Sequence, residues 1–131
     1  MSRAKPARTS ATAPFADLDW DDQGFPRCRT FNDVYFSAQD GVAESCHVFL
    51  QGNALRERWS TLASWTRFLI GETGFGTGLN FLNAWKLWSA VAPASAQLEF
   101  LSVEAFPLAP DDLKRAHAAF PQLEELATQL R

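Results

Sequence analysis

Residues 67 to 82 read Arg67-Phe-Leu-Ile-Gly-Glu-Thr-Gly-Phe-Gly-Thr-Gly-Leu-Asn-Phe-Leu82, and the reading of this stretch decides the fold. The apolar run Phe68-Leu69-Ile70 has the length of a buried strand and stops at Glu72. Three alternating glycines follow: Gly74, Gly76 and Gly78. From Leu79 the spacing turns helical, with Leu82, Trp85 and Trp88 on one stripe. Strand, glycine turn and helix together make the unit that opens a nucleotide-binding α/β domain. Glycine permits positive φ in so sharp a turn and removes the side chains that would hold a ligand off the backbone. The helix N-terminus behind the turn offers unpaired N–H groups and a partial positive charge.

Three ligand classes use such a turn. A Walker phosphate loop counted from Gly71 meets its second glycine at Gly76, but Thr77 stands where lysine must be, so that reading fails. A dinucleotide fingerprint puts its third glycine at Leu79. Because that glycine mainly serves helix–strand packing, the dinucleotide reading is weakened and stays open. The remaining pattern, acid-x-Gly-x-Gly-x-Gly from Glu72 to Gly78, resembles that of S-adenosylmethionine-dependent methyltransferases of Rossmann-like fold. A cofactor without phosphate needs no lysine, and an acid at the strand end such as Glu72 can face its cationic part directly or through water. A second apolar segment, Gln97-Leu-Glu-Phe-Leu-Ser-Val103, ends at Glu104, 26 residues past Gly78. A carboxylate at the end of the second strand is positioned for both ribose hydroxyls.

The 131 residues carry a net charge of −3, which supplies no argument for polyanion binding. Cys28 and Cys46 lie 18 residues apart without a secretory signal, as expected of reduced thiols in a cytoplasmic protein. His47 and His117 complete no metal-ligand spacing, so no metal is expected. No apolar run approaches the roughly 18 residues of a membrane span.

The chain divides into three parts. Residues 1–14 form a basic tail without an acid, expected to be disordered. Its composition would also suit an organellar presequence, and Arg3, Lys5 and Arg8 are its candidates for touching RNA. Residues 15–62 form a hairpin and helical segment. Leu18-Asp19-Trp20 and Phe25 to Arg29 flank a turn at Asp21-Asp22-Gln23-Gly24, and Pro26 predicts an edge strand. Asp40 predicts the N-cap of a helix from Gly41 to about Gln51, ended by Gly52, and Asn53 the cap of a second helix bearing Leu55, Trp59 and Leu62. Residues 63–131 form the first part of a Rossmann-like cofactor-binding domain. Its helix from Gly78 to about Val91 is apolar nearly all round, which predicts burial. A later helix starts at Pro110 and places Leu113, Ala116, His117 and Phe120 on one face, so His117 reads as a packing residue. Two strands cannot complete a sheet covered on both faces, so the expectation is the front part of a longer protein.

Four segments, Asp33-Val-Tyr-Phe-Ser37, Val48-Phe-Leu-Gln-Gly-Asn-Ala-Leu-Arg56, Glu72 to Leu82 and Glu104-Ala-Phe-Pro-Leu108, resemble in order and spacing the methyltransferase domain of the MnmC family. The resemblance implies transfer of a methyl group from S-adenosylmethionine to the primary amine of 5-aminomethyl-2-thiouridine in the tRNA wobble position. It implies tRNA as substrate and a fused flavin oxidase domain using FAD in the full-length protein. Cofactor-binding roles fall on Glu72, Gly74, Phe75, Gly76, Thr77, Gly78, Glu104 and Tyr35. The family commonly has lysine after the second acid, where this sequence has Ala105. The acid beside the reacting amine belongs to a later Asp-Gly-Phe-Ala-Pro segment, so no catalytic residue is assigned within these residues. The alternatives are an NAD- or FAD-dependent oxidoreductase using the same loop and an inactive fragment.

Overall fold

The computed structural model describes residues 14–131; the basic tail, with Arg3, Lys5 and Arg8, lies outside the described residues save for Pro14. Asp21 makes the first turn, its Oδ1 accepting from the N–H groups of Gln23 at 2.9 Å and Phe25 at 2.8 Å. The chain thereby reverses between β1 (Leu18–Trp20) and β2 (Pro26–Cys28), and β2 pairs again with β3 (Asp33–Val34). The sheet is antiparallel with order β1-β2-β3, so β2 is central and not the edge that Pro26 predicts. Proline is accommodated because it is the first residue of its strand. It lies opposite Trp20, and pairing with β3 begins only at Arg27.

Asp40 caps α1 (Gly41–Ser45) as its position predicts, its Oδ1 accepting from the Ala43 N–H at 2.9 Å. The single helix expected to Gln51 widens into a π-helical segment over Cys46–Gln51. Gly52 ends it without a left-handed turn: its φ is −58° and its N–H donates to the His47 carbonyl at 3.1 Å. A Cβ at Gly52 would lie 2.3 Å from the Val48 carbonyl oxygen, so close approach is what demands glycine here. Asn53 also differs from its expected role. Its side chain donates backwards to the Phe49 carbonyl at 2.8 Å, and α2 (Leu55–Ser60) begins after Ala54, which has no capping side-chain bond.

β4 (Arg67–Thr73), α3 (Leu79–Val91) and β5 (Gln97–Val103) form a parallel β-α-β unit. Phe68 lies opposite Leu98, Ile70 opposite Phe100 and Glu72 opposite Ser102, all on one face of the pair. That face is covered by α2 and α3 around Leu50, Leu55, Trp59, Ile70, Ala84 and Leu87. Fully buried Trp59 meets Phe68 and Trp88 edge-on, with ring centroids 5.7 and 5.2 Å away. The opposite face exposes Leu69 and Leu101 at 63% each. A second cluster explains why α3 is apolar on more than one side. Its Leu79 and Leu82 pack against Phe120, Leu123 and Ala127. These come from the segment that runs through α4 (Pro110–His117), a 3-10 turn (Pro121–Leu123) and α5 (Glu124–Leu130). The result is a mixed α/β fold in which α3 is shared by two cores. Among the described residues no helix is long and apolar enough to cross a membrane, and no group of three His, Cys, Asp or Glu could hold a metal ion.

Candidate functional site

β4 and β5 end side by side at Thr73 and Val103, so the loops that leave them meet. Gly74 prolongs the ladder by one bond, its N–H donating to the Val103 carbonyl at 2.8 Å. Gly74, Gly76 and Gly78 then take φ of +82°, +56° and +76°, a conformation that costs a residue with a side chain about 1–2 kcal/mol. Space adds its own demand at Gly78, while at Gly76 the contact is an ordinary one. A Cβ on Gly76 would stand 3.4 Å from the Tyr35 ring, and one on Gly78 would stand 2.6 Å from the Phe75 ring.

Glu104 clamps this loop. Its Oε2 accepts from the Gly76 N–H and its Oε1 from the Phe106 N–H, both at 3.0 Å. An ionised carboxylate has about four acceptor directions, so about two remain for a ligand's hydroxyls. Glu72 is engaged differently. Its Oε1 accepts from the Ser102 hydroxyl at 2.8 Å and its Oε2 from the Asn80 amide at 3.1 Å. Asn80 accepts in turn from the Ser45 hydroxyl at 2.7 Å, and Ser45 accepts from Asn83 at 3.0 Å. One polar relay thus ties β5, β4, α3 and α1 together beneath the loop.

In front of the loop opens a cleft of about 890 Å³. Tyr35, Gly74, Phe75, Gly76, Thr77 and Glu104 line it, whereas Glu72 and Gly78 sit one layer behind. The Tyr35 hydroxyl has its pKa pushed up to about 12, chiefly by burial and further by Cys28 and Glu104, so it remains a protonated donor. Sequence reasoning missed five polar lining residues: Asp33, Ser37, Glu44, Ser45 and Asn80. Asn80 carried a signal, being a polar residue in the otherwise apolar first turn Leu79 to Leu82. Glu44 carried none, since an acid early in a helix is explained by the helix dipole alone. Among the described residues the cleft lining includes the carboxylates of Asp33, Glu44 and Glu104 and no Lys, Arg or His.

No protein-family model matches the chain. The chain is 56% identical over 117 residues to the tRNA 5-methylaminomethyl-2-thiouridine biosynthesis bifunctional protein MnmC of Pseudomonas fluorescens strain Pf-5. It is 53% identical over 117 residues to the protein of that name from Hahella chejuensis. The match takes in 89% of this chain but spans only 18% and 19% of the length of these two relatives. Among solved structures, the crystal structure of MnmC2 from Aquifex aeolicus superposes with a TM-score of 0.55 at 22% identity, over 80% of this chain and 36% of that one. That likeness concerns the fold.

Proposed function

Over the residues it shares with those relatives this chain belongs to the MnmC family, and on that premise we propose that its cleft binds S-adenosylmethionine for a tRNA methyltransferase. The reaction in this reading converts 5-aminomethyl-2-thiouridine at the wobble position to 5-methylaminomethyl-2-thiouridine. Residues 63–131 are then the first part of a Rossmann-like cofactor-binding domain, and residues 15–62 supply the facing wall. A cytoplasmic location goes with it, with Cys28 and Cys46 as free thiols. The FAD-dependent oxidase step implied by the family resemblance is assigned to a separate domain and to no residue described here.

The observation that carries this reading is the sign of the cleft. Among the described residues three carboxylates and no cationic side chain line it. S-adenosylmethionine bears a sulfonium and an ammonium against a single carboxylate, whereas a dinucleotide brings a doubly charged pyrophosphate. Like charges in a partly desolvated cleft oppose the second ligand and favour the first. The loop backbone argues the same way. The Gly76 N–H is given to Glu104, and in a dinucleotide turn such a group would face phosphate.

The residues present fit the cofactor. Gly74 and Gly76 leave the main chain bare, and at Gly76 a Cβ would fill the space before Tyr35. Glu104 keeps acceptor directions for ribose hydroxyls while holding the loop, and Tyr35 contributes a donor that stays protonated. Phe75 and Thr77 complete the wall between the glycines. Glu72 acts through Asn80, whose amide it orients at the cleft edge. When bound, the cofactor supplies an activated methyl group for in-line displacement by a neutral amine, for which alignment is the main requirement.

Titration of the chain with S-adenosylhomocysteine and with NADH, followed by tryptophan fluorescence, tests the proposal. A saturable response to the adenosyl compound and none to the nucleotide is expected. The opposite pair of results would replace the methyltransferase by an oxidoreductase.

A further inference from the structure

His117 is fully buried and yet lines no part of the cleft. Its Nε2 lies 2.8 Å from the carbonyl oxygen of Thr77, and its Nδ1 lies 3.1 Å from a guanidinium nitrogen of Arg131. The two partners settle where the ring carries hydrogen. A carbonyl only accepts and a guanidinium only donates. Nδ1 therefore offers its lone pair and Nε2 its N–H. The alternative tautomer and the imidazolium each leave a guanidinium facing an N–H group. Arg131 is itself held, donating to Glu124 Oε1 at 2.9 Å and to the Thr128 hydroxyl at 3.2 Å.

Thr77 lies between two glycines whose backbone freedom must be removed when the loop is ordered. On the cleft side the Gly76 N–H is taken by Glu104. On the opposite side Leu130 of α5 would come within 3.2 Å of a Cβ at Gly78, so the C-terminal helices form the loop's back wall. From that wall His117 reaches Thr77, forty residues back along the chain, and Arg131 reaches His117.

We infer that His117 is a positioning residue for the glycine loop. Its Nε2–H pins the Thr77 carbonyl from behind, opposite the Glu104 clamp on Gly76, and Arg131 fixes the tautomer that can do so. The inference rests on the proposed cofactor site for its effect on ligand affinity. For its effect on the loop it stands independently.

Two variants of the full chain separate hydrogen bonding from packing. His117→Phe keeps a ring and loses both polar contacts; His117→Gln retains an N–H donor and a carbonyl acceptor. Amide exchange at Gly76, Thr77 and Gly78 is expected to accelerate about tenfold in the Phe variant, the loss of one hydrogen bond, and to stay near wild type in the Gln variant. Exchange within β4 and β5 is expected to be unchanged in both. S-adenosylhomocysteine affinity should follow the loop, falling about tenfold with Phe and recovering with Gln. Loop exchange that does not move in the Phe variant, or a Gln variant that exchanges as fast as Phe, overturns the inference. Ring-nitrogen NMR of the wild type decides it without any variant: hydrogen on Nε2 supports it and hydrogen on Nδ1 overturns it. A wild-type chain that ignores S-adenosylhomocysteine would sink the cofactor site, while exchange and tautomer would still decide the anchor.

Discussion

The Gly76 N–H donates to Glu104 Oε2 across 3.0 Å, joining the turn after β4 to the acid that ends β5. One carboxylate therefore shapes the loop and faces the cleft. Glu104→Ala should weaken S-adenosylhomocysteine binding by about 2 kcal/mol, since it removes charge-assisted acceptors and frees the loop. Glu104→Gln keeps one acceptor oxygen for two backbone donors and should fall between the two. Calorimetric titration checks both, and wild-type affinity in the Ala variant would show that the pocket lies elsewhere.

Gly76→Val should abolish binding of the same ligand. Its side chain must adopt φ near +56° and enter the space before Tyr35. Strain of about 1–2 kcal/mol should also appear in urea denaturation, a much smaller effect than the loss of binding. Equal damage to Gly76→Val and to Gly71→Val would contradict this, because nothing lies within 4 Å of a Cβ at Gly71.

Asn80 holds Glu72 with one end of its amide and receives the Ser45 hydroxyl with the other. Asn80→Ala leaves both partners short of a bond in a part-buried setting and should lower stability by about 1–3 kcal/mol. Asn80→Asp should do more harm than Asn80→Ala, because it sets a second carboxylate beside Glu72. Urea midpoints of the two variants measure this.

Stability should fall on mild acidification. Burial holds the His117 pKa below its ordinary 6.5; the Thr77 bond and Glu124 oppose the shift, and Arg131 adds to it. A group whose folded pKa is depressed contributes fully above 6.5, and that contribution is lost as pH falls from there toward the folded value. Glu124 is shifted down by Arg131 and titrates in a more acid window, below 4.5. Denaturation midpoints should therefore drop between pH 7.5 and pH 5.5 in wild type and less so in His117→Gln.

Trp59 and Leu101 differ sharply in packing. Trp59→Ala removes a fully buried ring that touches Phe68 and Trp88 and should cost about 3–5 kcal/mol. Leu101→Ser changes a residue that is 63% exposed and should stay within about 0.5 kcal/mol. Thermal melts of the two variants compare them directly.

Local chemistry announced the β-α-β unit. The runs around Ile70 and Phe100, the glycines between them and the apolar helix from Leu79 are all short-range signals, and each element lies where its own residues put it. Where a neighbour had a say, local reading erred. Pro26 lies in a central strand because β3 is too short to reach it. Asn53 turns back to Phe49 because a π-helical segment leaves that carbonyl free. His117 belongs to an apolar stripe, and only packing shows that its second nitrogen meets the glycine loop.

From residue order alone came the elements, the turn that needs glycine and the two acids at the strand ends, because φ preference and hydrophobic period are properties of a few consecutive residues. Tertiary structure alone decided that Glu104 holds the loop while Glu72 stands behind it, that Asp33 and Glu44 add their charge to the cleft, and that a histidine from α4 anchors Thr77. The Glu104–Gly76 and His117–Thr77 contacts join residues 28 and 40 positions apart, and Asp33 and Glu44 share the cleft with an acid some sixty to seventy positions further along the chain. Their geometry exists only once α3 has packed both cores around itself.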